Sequence, residues 1–155
     1  RTGSNCAVTE GNLPWQTLGL TAADAWGNRY RYLVTAAFAD TSPLFTLNTT
    51  GNLRICQTNG CSTAAAIANN VPAVVISHGR NGWGATNADS GAVLTSPTSA
   101  DELENIGTSV GFTTTTVVSR TSSQVGSAAG EFDDIVTWLS AYTLFNRMVA
   151  AGNLP

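Results

Sequence analysis

The run Asp24-Ala-Trp-Gly-Asn-Arg-Tyr-Arg-Tyr32 constrains the fold of this chain more than any other segment. Its first half has the chemistry of a turn. Gly27 admits a backbone angle that a β-carbon penalises, and Asn28 tolerates the same region. Trp26 adds a large apolar plate with one N–H to satisfy. The second half alternates: Tyr30 and Tyr32 fall on one side of an extended chain, and Arg29, Arg31 and Leu33 on the other. Asp24, Trp26, Gly27, Asn28 and Tyr30 therefore read as a structural corner feeding a strand over residues 29–37. None of these groups is arranged for reaction.

Around that corner the 155 residues suit one domain with a core large enough to fold unaided. Residues 1–23 read as a loop-rich approach with apolar anchors between turn formers. Short strands are expected over 44–47 and 53–56, joined by the hairpin loop Asn48-Thr49-Thr50-Gly51-Asn52. Residues 64–68 allow a helical turn, which Asn69, Asn70 and Pro72 limit. The uniformly apolar Ala73-Val-Val-Ile-Ser77 predicts a central strand buried on both faces, ending in a glycine-spaced loop over 78–84. Residues 85–97 read as surface loop.

Ser99 and Glu102 fit a capping box at the start of a brief helix. Residues 112–119 are β-branched and predict a half-exposed strand. A last strand over 132–139 leads to Ser140 as an N-cap, after which Leu144, Phe145, Met148 and Val149 recur on one helical face. Gly152 stands where a left-handed cap residue is wanted. The sum is an α+β domain: an antiparallel sheet, a loop-rich amino-terminal segment and a covering carboxyl-terminal helix.

Composition narrows the function classes. Charged residues make up 11% of the chain, net charge is −3, and all seven basic residues are arginine. A surface so poor in positive charge has no stripe with which to follow a phosphate backbone, which argues against nucleic acid as a partner. The apolar runs are too short to cross a bilayer, so any membrane contact is expected through a helix outside these residues.

Three cysteines are present. Asn59-Gly60 can fold the chain back between Cys56 and Cys61, so these two are expected to close a small disulfide turn. Cys6 is then left without a partner. The alternative is a reduced protein with three unrelated thiols. A zinc site lacks ligands, because His78 is the only histidine.

His78 must carry any imidazole chemistry. Ser77 is adjacent, but neighbours on a strand point to opposite faces, and no nucleophile-elbow motif accompanies the pair. The reading is a structural histidine and no enzyme. Trp15, Trp26, Trp83 and Trp138 sit among apolar or turn residues and are read as buried anchors rather than a sugar platform. The glycines over 79–84 lack P-loop spacing.

Four segments carry a family resemblance: Gly11-Asn12-Leu13-Pro14-Trp15 with Leu18-Gly19, the 24–32 run, Ser77-His78-Gly79-Arg80-Asn81-Gly82, and Phe132-Asp133-Asp134-Ile135-Val136-Thr137-Trp138. Together they resemble the globular head of bacterial prepilin-type proteins. The 24–32 run is similar to the Asp-x-Trp-Gly-Asn-x-Tyr segment of type II secretion pseudopilins and type IV pilin-like proteins. The resemblance implies a pilin-like head and a structural filament subunit, extracellular or periplasmic, assembled with other pilin-like subunits, copies of itself or a separate helix-bearing chain. Such proteins carry a long apolar amino-terminal helix, expected here upstream of Arg1 or on another polypeptide. Some pseudopilins hold calcium in a carboxyl-terminal loop; here Asp133 and Asp134, with Asn87 and Asp89, offer oxygens for it. Turn and capping roles are the competing reading for these four residues, and no other cofactor is implied. Against the filament stand a glycan-binding adhesin module and a secreted hydrolase.

Overall fold

A computed structural model describes residues 8–107 and 115–153. Along them run Glu10–Asn12 (β1), Trp15–Leu18 (α1), Arg31–Val34 (β2), Ala36–Ala39 (α2), Leu53–Cys56 (β3), Ala68–Val71 (β4), Ala73–Ser77 (β5), Ala100–Ile106 (α3), Thr116–Val118 (β6), Ile135–Leu139 (β7) and Ala141–Ala150 (α4). Pro72 divides the strands into two sheets. It has no N–H for a ladder, so the extended chain cannot pass straight through it. Before it, β4 belongs to a sheet of order β4-β3-β6; after it, β5 belongs to one of order β1-β2-β5-β7. The larger sheet is antiparallel throughout, whereas β3 pairs antiparallel with β4 and parallel with β6. The domain is α+β.

Alternation along the strands makes the core. Leu33, Val74 and Ile76 from the larger sheet meet Leu53, Ile55, Val71 and Val117 from the smaller, with Val136 and Trp138 packed at the edge. Each such side chain contributes about 1.5–3 kcal/mol by leaving water. The α4 helix begins as its sequence dictates: Ser140 Oγ accepts from the Thr143 amide at 3.1 Å. It ends with Gly152 at φ 70, where Asn153 N reaches Met148 O and Gly152 N reaches Val149 O, the paired bonds of a Schellman cap.

Several expectations are corrected. Residues 44–47 form no strand, and 48–52 is no hairpin loop. The hydroxyls of Thr46 and Thr49 bond the amides of Asn48 and Thr46, which draws the segment into a turn. Strand β2 stops at Val34 because the buried Thr35 hydroxyl ties to Asn52 and to Val71 O; the alanines after it enter α2. Strand β5 is central but buried on one face, with Ala73 and Val75 half-exposed on the other. Strand β6 is fully buried rather than half-exposed, since α3 covers it; residues 108–114 lie outside the described residues. The last strand begins at Ile135, not 132. Helix α4 does not seal the sheet: none of its residues is fully buried, and its ring contact is Phe145 on Phe38.

Candidate functional site

Two polar constructions flank the end of β5. The first is the 24–28 corner. Asp24 Oδ1 accepts from the amides of Trp26 (3.0 Å) and Asn28 (2.9 Å), while its Oδ2 accepts from Ser77 Oγ at 2.6 Å. Gly27 takes φ 82, as the turn requires. Tyr30 O receives Leu13 N. The Arg29 guanidinium lies over the Trp15 ring and donates to Ala22 O and Ala88 O. One carboxylate thus ties the 24–28 turn to the central strand. The Ser77 hydroxyl is turned to Asp24, away from any role with His78. Trp26 is 43% exposed, so it is no buried anchor; the turn holds its backbone and leaves the indole outside.

The second construction is a box of acids and amides. Glu102 comes from α3, Asp133 and Asp134 lead into β7, and His78 and Asn81 sit in the loop after β5. One oxygen from each of the three carboxylates lies within 4.8 Å of the others. Glu102, 1% exposed, accepts through Oε1 from Asn81 Nδ2 at 3.0 Å and from Asp133 N at 3.1 Å. Asp133 Oδ2 accepts from Asn81 N at 2.9 Å. Asp134 Oδ2 accepts from Asn105 Nδ2 at 2.8 Å. His78 Nδ1 stands 3.5 Å from Asp134 Oδ1, a contact too long for a hydrogen bond, and its ring is 1% exposed. Glu102 Oε2, Asp133 Oδ1 and His78 Nδ1 are buried and unpartnered.

Burial raises the Glu102 carboxyl above its usual range; the Asn81 bond works the other way, and the Asp134 charge adds to the rise. Asp133 is raised likewise, first by burial, against the Asn81 amide and with the Asp134 charge. Gly79, at φ 60, lies against this box, where a β-carbon would overlap the carbonyl and Oδ1 of Asp133. Asn105, fully buried, ties the box to the smaller sheet: it accepts from Val118 N and donates to Val118 O, taking the place of a neighbouring strand.

Of the four residues named for calcium, the structure brings Asp133 and Asp134 together and adds Glu102. Asp89 is not in the group, and Asn87 Oδ1 accepts from Asp89 N, Ser90 N and Ser90 Oγ to close its own turn. The box itself fits a hard cation. Its donors are all oxygen, two of those oxygens are buried without partners, and Gly79 leaves room beside them. The expected capping box is not formed: Ser99 makes no side-chain cap bond, and Glu102 turns into this cluster instead. No motif spacing announces the cluster; only Asp101, Glu102 and Asn105 on one helix with Leu103 outside hint at a polar inner face.

Cys56 and Cys61 form a disulfide with Cα atoms 5.9 Å apart, and Arg54 donates to Cys61 O beside it; Cys6 lies outside the described residues. Among the described residues no helix is long and apolar enough to cross a membrane. A separate cavity of about 330 Å³ is lined by Trp138, Tyr142 and Phe145 with Asn48, Thr50 and Asn70 among others. No charged side chain lines it, and Asn70 holds φ 57 at its rim. The chain matches no family profile, no curated protein and no solved structure.

Proposed function

We propose that this chain is the globular head of a pilin-like or pseudopilin filament subunit, extracellular or periplasmic, structural and not enzymatic. The observation that carries the reading is the Asp24 brace. The 24–28 run, one of the four segments that carry the resemblance, works as a hydrogen-bonded corner tied to β5, with Ser77 consumed in it. His78 is enclosed, which leaves a serine–histidine hydrolase without an accessible imidazole. The disulfide suits an oxidising compartment. Exposed Leu44, Leu47, Tyr142 and Val149 leave apolar surface for contact with neighbouring subunits.

Expressing the head together with the coding sequence upstream of Arg1, and imaging sheared surface material by electron microscopy, tests this. Fibres that carry the head, and an upstream apolar helix of about 20 residues after a short basic leader, are the expected result. A cleavable secretory signal ending near Arg1, with no helix-bearing partner, contradicts it. The cavity beside Trp138 favours a second reading, an adhesin for a neutral glycan: aromatic faces stack on sugar rings while amides bond hydroxyls. Saccharide binding that vanishes in Tyr142→Ala, in a head that forms no fibre, would favour it.

A further inference from the structure

We propose that Glu102, Asp133 and Asp134 bind one hard divalent cation of the calcium class, which clamps helix α3 to the segment leading into β7. Three carboxylates facing one another, with no arginine side chain among the described residues bonded to any of them, repel, and burial strengthens the repulsion. Hydrogen bonds relieve part of it: Asn81, Asp133 N and Asn105 satisfy one oxygen of each acid. The oxygens left over, Glu102 Oε2 and Asp133 Oδ1, are buried and have nothing to bond. Buried unpaired carboxylate oxygens are costly, and native proteins fill such positions with donors or ions.

An independent observation comes from His78. It is not one of the acids, it is 99% enclosed, and its Nδ1 is unpartnered while facing Asp134 Oδ1. Its buried ring faces one oxygen of Asp134 while the acid's other oxygen is held by Asn105. One oxygen of each acid lies within 4.8 Å of the others, near enough to share one ion, and a set of protein carboxylates is the donor set that calcium takes. Asp89 takes no part.

The test uses the full chain, freed of metal by chelator and titrated with calcium chloride by calorimetry and thermal melting. One-to-one heat is expected, with the melting temperature rising by about 5–10 °C at a hundredfold excess over the dissociation constant. In Glu102→Gln the amide keeps the acceptor for Asn81 and turns a donor toward the remaining acids. It therefore melts at or above the unmodified chain in chelator and gains nothing from calcium. Asp89→Asn retains the full response. A ligand role thus moves the two conditions in opposite directions, which a merely structural glutamate would not. Absence of heat from the unmodified chain up to about 10 mM calcium, above the weakest affinities of extracellular calcium modules, overturns the proposal. So does a full calcium response in Glu102→Gln, or its loss in Asp89→Asn.

Discussion

The apolar core between the sheets and the polar box beside α3 are both largely shielded from water and held by opposite means. In the core, Leu33, Ile55, Val74 and Ile76 interdigitate without direction, so their contribution follows area. In the box, Glu102, Asn105, Asp133 and Asp134 are fixed by directed bonds, and each bond removed strands a partner away from water. Cores of the first kind tolerate substitutions of similar volume. A cluster of the second kind specifies one arrangement of three separate chain segments and gives way when a single member is lost.

The largest effect expected of that contrast is at Asn105. Asn105→Ala strands Val118 N, Val118 O and an Asp134 oxygen, at about 1–3 kcal/mol each and on the order of 3–5 kcal/mol together. Urea denaturation should then place it level with Ile55→Ala, a core truncation costing about 2–5 kcal/mol; a loss well under 1 kcal/mol would break the comparison. Gly79→Ala forces a β-carbon into Asp133 at a positive φ and should cost roughly 1–3 kcal/mol, with weakened calcium binding in the same protein. Ser77→Ala removes the charged hydrogen bond to Asp24 and should cost about 1.5 kcal/mol, with faster amide exchange at Trp26 and Asn28. The smallest change is at the rim: Ser140→Ala loses the α4 cap for about 1 kcal/mol. All but the α4 change alter a braced junction, so only that one should leave the rest of the exchange pattern intact.

The same contrast explains what the sequence made legible. Strands β3 and β5, the turn at Gly27, the Ser140 cap and the Cys56–Cys61 closure follow from local chemistry, and each stands where its residues predict. The pairing of β3 with β4 and β6 was hidden because strand partners are set by the rest of the fold, and the threonines at 46 and 49 chose a turn over a ladder. Helix α3 inverts the usual rule: its acids and asparagine face inward while Leu103 is exposed. Reading Glu102 as a cap was the local answer to a residue whose role is tertiary. Asp133 and Asp134 were visible as an acidic pair, but their third partner lies 31 residues earlier, beyond the reach of any spacing argument.

Crystals grown with calcium and measured for anomalous scattering test the central claim, that the polar box is an ion clamp. A peak bonded to Glu102, Asp133 and Asp134 at about 2.3–2.6 Å, with Asp89 remote from it, is the predicted result. Density for water alone, with Glu102 and Asp133 drawn together over a shared proton, would contradict it.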